Sequence, residues 1–222
     1  MSAPGHRGGS AGLRIAIPIF DGLTALDAIG PYEVLSRLPG ATVSFVAAAA
    51  GRVRTENGML ALHADAAFDE LVDPDVLVVP GGFGTRTLLD DPVTLRWLRA
   101  VHAQTTWTTS VCTGSLLLGA AGILDGLRAT SHWLELDTLA DFGAEPVSER
   151  VVIDGKVITA AGVSAGIDMA MTLAARLAGD DLAQAIQLGI EYDPHPPFRS
   201  GSPATAAPEI VELVRLRRAR LA

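Results

Sequence analysis

The sequence predicts an α/β fold: a single domain built on a mainly parallel central sheet with helices on both faces. Three observations carry that expectation. Short apolar runs alternate along the chain with segments of helical spacing, the order expected of βαβ units. The runs are apolar throughout, as in "IAIPIF" and "VLVVP", which suits strands covered on both faces. Apolar residues make up 49% of the 222 residues and charged residues 19%, so the chain can bury one sizeable core, and no internal linker divides it.

The elements follow in order. "MSAPGHRGGSAG" is small, polar and Gly-rich. It predicts a disordered segment over 1–12 ahead of a domain over 13–222, and it has no apolar core that would make it a signal peptide. "LRIAIPIF" (13–20) reads as a buried strand, and "LTALDAIGPYEVLSRL" (23–38) as a helix interrupted at Gly30-Pro31. "ATVSFVAAAA" (41–50) is a second strand. "GRVRTENGMLALHAD" predicts a hairpin turning near Asn57-Gly58. "DVLVVPGG" (75–82) is a strand that stops at Pro-Gly-Gly, and "DPVTLRWLRAVHAQ" has Leu95, Leu98 and Val101 on one helical side. "TTWTTSV" (105–111) is the next strand, and Cys112 follows it directly. "ERVVIDG" and "KVITAAG" predict a second hairpin at Asp154-Gly155. After it come a buried helix (164–179) and an amphipathic one, "DDLAQAIQLGIEYD".

Charge and composition exclude several function classes. The net charge of −8 repels phosphate backbones, so no nucleic-acid partner is expected. No apolar run is long enough to span a bilayer. A single cysteine excludes an intrachain disulfide framework and fits a cytoplasmic protein. Arg215, Arg217, Arg218 and Arg220 near the C-terminus read as a solvated face complementing a helix dipole. His63, His102 and His195 have no partners at metal-ligand spacing, so no metal is expected.

In open parallel sheets, ligands bind beyond the carboxyl ends of the strands, at a switch in strand order. Three strand exits therefore matter, and they carry Asp27, Gly81-Gly82 and Cys112-Thr113. Free cysteine is among the most buried residue types. At a sharp strand-to-helix turn, however, it is presented at the sheet edge, where the helix N-terminus would favour the thiolate and fast alkylation. Gly114 and Gly119 would let that helix approach its neighbours closely. Gly82 and Thr113 are the candidate backbone N–H donors to a developing negative charge. Asp27 lies among apolar residues, where burial would favour its protonated form and make it an acid/base candidate near neutral pH. Glu33, on the same helix, is the competing acid. His132, in "ATSHWLEL", could activate the thiol or simply pack beside Trp133.

With these segments in place the chain resembles the ThiJ/PfpI family, a class I glutamine-amidotransferase-like group with a cysteine at the strand–helix turn. The likeness runs from about Arg14 to Pro203. It rests on "LDAIGPYEVL", "DVLVVPGGFG", "SVCTGSLLLGAAGILDGLRATSHW", "VVIDGKVITAAGVSAGIDMAMTLAARL" and "IEYDPHPPFRSGSP". The resemblance implies a flavodoxin-like sandwich and a homodimer. Within the family the pairing of "LD" with "CTGSLLLGAAGIL" is similar to the isonitrile hydratase branch. That branch implies a cofactor-free hydro-lyase making N-substituted formamides through a cysteine thioimidate. Cys112 would be the nucleophile and Asp27 the proton carrier, with Gly82, Thr113 and Gly162 steadying charge and His132 beside them. Peptidase members carry histidine after the cysteine, whereas Thr113 stands here, so peptide hydrolysis is not expected. Two other readings stay open: a glyoxalase- or deglycase-like thiol enzyme, and a non-catalytic small-molecule sensor related to AraC-type regulator domains. Those regulators continue into a helix-turn-helix domain, and the single C-terminal helix expected here is too short for one.

Overall fold

The computed structural model describes residues 12–219. All but Gly12 of the segment expected to be disordered, and Arg220 of the basic cluster, lie outside them. Strand β1 (Arg14–Pro18) leads into helix α1 (Ala25–Leu35), followed by β2 (Thr42–Ala47), the strands β3 (Gly51–Arg54) and β4 (Ala61–Ala64), and the short β5 (Ala66–Ala67). Next come β6 (Val76–Val79), the one-turn α2 (Thr85–Leu88), α3 (Pro92–Gln104), β7 (Trp107–Val111) and α4 (Gly114–Ala120). Two short strands, β8 (Arg128–Ala129) and β9 (Glu145–Pro146), flank a 3₁₀ turn at Asp137–Phe142. The chain closes with β10 (Val151–Asp154), β11 (Val157–Ala160), α5 (Ala165–Ala178), α6 (Asp180–Gly189) and α7 (Pro208–Ala219).

The central sheet has the order β10-β11-β7-β6-β1-β2-β5. Every pairing in it is parallel except β10 with β11. The mainly parallel single domain is therefore as expected. β1 stands between β2 and β6, so the chain winds outward first on one side and then on the other. That reversal is the switch in strand order at which a crevice opens. One core cluster fills the face under α1, α5 and α6, and includes Ile15, Ile17, Val34, Cys112, Met169 and Leu173. The other, with Leu77, Val79, Leu98, Leu117 and Leu139, fills the face under α3 and α4.

Both expected hairpins form. β3 pairs antiparallel with β4, Arg54 facing Ala61 across the Asn57-Gly58 loop. Asp154 faces Val157 across a two-residue loop in which Gly155 has φ +56°. One local expectation fails. α1 is not interrupted at Gly30-Pro31 but runs through Pro31. Proline there removes the N–H that would bond the Asp27 carbonyl, and packing offsets that loss. A Cβ on Gly30 would sit 3.1 Å from Ile167 of α5, so the glycine brings the two helices together.

Candidate active site

Three strand exits meet at the carboxyl edge, as the alternation of elements requires. Cys112 leaves β7 with φ +57°, a strained conformation for a residue with a Cβ. Its N–H donates to the Ala160 and Ala161 carbonyls, at 3.1 and 2.8 Å. Its carbonyl accepts from the hydroxyls of Ser115 and Ser131, each at 3.1 Å. The elbow is thus tied to β11, to α4 and to the segment after β8. Gly114 opens α4 against the Val79 carbonyl, where a Cβ has no room. Gly119 likewise lets Phe142 approach. Both close approaches expected of these glycines are present.

Asp27 comes from the first turn of α1 and is fully buried. Its Oδ2 accepts the Gly81 N–H at 2.9 Å. Its carboxyl lies within hydrogen-bond reach of the Cys112 thiol, while Oδ1 accepts no well-aligned hydrogen bond among the described residues. Burial is the main cause that pushes this acid up to about 7. The Gly81 N–H opposes it, the Glu56 charge adds to it, and the Cys112 thiol opposes it. Glu33 faces outward and pairs with Arg37 at 2.8 Å. Of the two candidate acids on α1, only Asp27 reaches the thiol.

The thiol itself differs from the sequence expectation. Cys112 is 5% exposed, and burial followed by the neighbouring Asp27 charge pushes its pKa up to about 12. The N–H groups of Thr113 and Val163 and the Thr113 hydroxyl pull the other way and do not win. α4 spans seven residues, too short a dipole to outweigh a buried carboxylate. At rest, then, the pair shares its proton as a thiol beside Asp27. Facile alkylation is not expected of a sulfur so placed.

The charge-stabilising donors also need correction. The Gly82 N–H is not free, because it donates to Thr113 Oγ1 at 2.9 Å. The Thr113 hydroxyl donates back to the Gly82 carbonyl at 3.2 Å and accepts from Thr85 Oγ1 at 3.2 Å. Gly82 has φ +137°, and a Cβ there would stand 2.5 Å from the Gly22 carbonyl oxygen. Its role is to let the β6 exit close onto the β1 exit, where it fixes Thr113. The Thr113 N–H is directed toward the Cys112 sulfur. On the β11 side the donor is Val163, one residue beyond Gly162. Gly162 makes room for His132, whose Cδ2 would lie 3.0 Å from a Cβ there.

His132 Nδ1 accepts the Leu134 N–H at 3.3 Å, and its ring stands beside Trp133. Burial and then the Arg218 charge push its pKa down, which favours a neutral, packed ring, and no hydrogen bond among the described residues joins it to the thiol. The sequence places Gly81 at a strand exit and reaches the turn that holds Val163 only through Gly162. It assigns neither the Gly81 N–H to Asp27 nor the Val163 N–H to the sulfur. Their contribution is a main-chain N–H, which leaves no mark in residue identity.

The arginines of α7 are not all solvated. Arg218 pairs with Glu135, which also takes Arg86 at 3.3 Å. Arg86 and Arg218 each lie 5.2 Å from the Phe83 ring centre, and Arg215 lies 5.8 Å from that of Trp133. α7 is thereby drawn back over the carboxyl edge, because Phe83 and Trp133 follow directly on the segments that carry Gly82 and His132.

The model of the DJ-1/PfpI family matches residues 13–176. The chain belongs to the DJ-1/PfpI family. This DJ-1/PfpI protein is 47% identical over 207 residues to isonitrile hydratase of Pseudomonas putida, covering 93% of this chain and 90% of that protein. It is 32% identical over 173 residues to the HTH-type transcriptional regulator CdhR of Pseudomonas aeruginosa, covering 76% of this chain and 51% of the regulator. Among solved structures, a ThiJ/PfpI family protein from Pseudomonas syringae superposes with a TM-score of 0.91 at 40% identity, covering 95% of this chain and 87% of that one. No helix among the described residues is long and apolar enough to cross a membrane.

Proposed function

We propose that this protein adds water to isonitriles, giving N-substituted formamides through a covalent intermediate on Cys112. The observation that carries the reading is the fully buried Asp27, held by Gly81 with its carboxyl against the Cys112 thiol. The 47% identity to an isonitrile hydratase supports it. An isonitrile carbon must accept both a nucleophile and a proton. A thiol and a carboxylate that share one proton supply both.

As sulfur attacks the terminal carbon, the thiol proton passes to the Asp27 carboxylate. Asp27 then delivers that proton to the same carbon, giving the thioimidate Cys–S–CH=N–R. Water adds to the thioimidate carbon while Asp27 takes one of its protons and returns it to nitrogen. The C–S bond breaks, the new hydroxyl becomes the formyl carbonyl, and its proton returns to sulfur. The N–H groups of Thr113 and Val163 stabilise the sulfur as it gains charge on leaving. No external oxidant, reductant or cofactor enters this balance.

The test is conversion of cyclohexyl isonitrile to N-cyclohexylformamide by the purified protein, followed by mass. In the same assay, methylglyoxal consumed faster than any isonitrile would replace this reading with a glyoxalase-like one. No turnover, with a small ligand raising the melting midpoint, would replace it with the sensor reading. We propose further that the protein acts as a homodimer in the cytoplasm. Leu188 and Phe198 are 82% and 77% exposed, and Leu213 and Leu216 of α7 are exposed nearby in sequence. A second copy would cover such apolar surface. A monomer mass by light scattering at micromolar concentration would remove that expectation.

A further inference from the structure

A concavity opens at the same edge of the sheet, and none of Asp27, Gly81, Gly82, Cys112, Thr113 and Val163 lines it. Its volume is about 300 Å³, the lower end of the range of small-ligand pockets. That is room for one ring or a short branched chain. Ile19, Phe20, Val53, Phe68, Val79 and Leu117 give it an apolar floor. Its charged groups are two carboxylates, Asp21 and Asp91, against one guanidinium, Arg52.

The carboxylates are held in place. Asp21 Oδ1 accepts the Arg54 N–H at 2.8 Å. Asp91 Oδ2 accepts the Thr94 N–H at 2.8 Å, as the N-cap of α3. Arg52, by contrast, sits on the exposed side of β3 at the end of a long flexible chain. The fixed charge in the cavity is negative and the mobile charge is positive, so an anion would meet two anchored carboxylates.

We propose that this cavity binds a small organic cation, an alkyl- or arylammonium with its apolar group on the floor and its charge toward Asp21 and Asp91. The site is separate from the thiol site but is carried in part by the same chain segments. Val79 lines the cavity two residues before Gly81, which holds Asp27, and Leu117 lies on the helix that starts beside Cys112. The inference stands independently of the isonitrile reading.

Calorimetric titration of the full chain with benzylamine at neutral pH tests it, with phenylacetate as the isosteric anion. Saturable binding of the amine is expected, at least about tenfold tighter than the anion. Ala49→Trp, on the exposed rim, should fill the cavity and lower the affinity about tenfold or more with an unchanged melting midpoint. Asp21→Asn should weaken binding while leaving the cavity open, and it decides the matter if the tryptophan variant does not fold. Cys112→Ala should bind as wild type. Phenylacetate binding as well as the amine, no saturation up to millimolar amine, binding lost in Cys112→Ala, or binding undisturbed by both rim variants would each overturn the proposal.

Discussion

Two aspartates stand at the starts of two helices, and the fold shifts them in opposite directions. Asp91 caps α3 at the protein surface. Hydrogen bonds from Thr94, through its hydroxyl and its N–H, hold it below the usual carboxylate range. Asp27 stands in the first turn of α1 and is pushed up to about 7 because burial outweighs the one N–H from Gly81. A helix N-terminus favours the ionised form in both places. Desolvation and the number of donors decide the sign, and the helix dipole does not. An aspartate held by several donors at the surface stays ionised and fixed in place. One that is buried with a single donor and a thiol beside it can carry a proton.

The largest effect that would break this comparison is at the sulfur. Cys112→Ala should reduce isonitrile turnover on the order of a thousandfold or more while changing the melting midpoint little. Alanine bears the same positive-φ strain as cysteine at this turn. Unchanged turnover would leave Asp27 without a partner and end the proposed chemistry. Asp27→Asn comes next, with turnover expected to fall about a hundredfold or more. The native state binds the Asp27 proton more tightly than the unfolded chain does. The contribution of Asp27 to stability is therefore greatest in acid and declines as pH rises from the ordinary carboxylate range through about 7. Asp27→Asn should lack that decline and melt higher than the parent at pH 8, as scanning calorimetry at several pH values would record.

The pH profile sharpens the same point. Between about 7 and about 12 the Asp27–Cys112 pair holds one proton, the state the reaction requires. The ratio kcat/KM should rise with pH through an apparent pKa near 7 that belongs to the pair, and the Asn variant should lose that limb. A smaller effect is expected of Asp91→Ala, which removes the cap of α3 and costs about 1 kcal/mol in denaturant unfolding, with isonitrile turnover retained. The smallest is expected of Glu33→Gln. It removes an exposed pair with Arg37 worth about 0.5 kcal/mol or less and should leave turnover unchanged. If Glu33 proves sensitive and Asp27 tolerant, the assignment of the proton carrier is reversed.

The sheet and the meeting of three strand exits were legible in the sequence because they follow from periodicity and chain order. Continuous apolar runs such as "VLVVP" make buried parallel strands wherever they occur. A cysteine directly after one of them must sit at the carboxyl edge. The likeness around Asp27 and Cys112 pointed to the same pair. The thiol's protonation was not legible, because it depends on Asp27 arriving from 85 positions earlier in the chain. The Gly82 assignment failed for a related reason. Whether a backbone N–H is free depends on what lies across from it, and Thr113 lies there.

The sequence by itself determined the mainly parallel α/β sheet and both hairpins, and it supplied one thiol and two acids, Asp27 and Glu33, as candidates. Each of these rests on local spacing, strand composition or residue chemistry. Only the tertiary structure decided that α1 continues through Pro31 and that Glu33 faces away while Asp27 is buried. It alone assigned Gly81 and Val163 as the N–H donors and brought Arg218 back onto Phe83. These outcomes depend on which surfaces exclude water and which distant groups come into hydrogen-bond range. Burial and through-space distance belong to the packed molecule and have no counterpart in the order of residues.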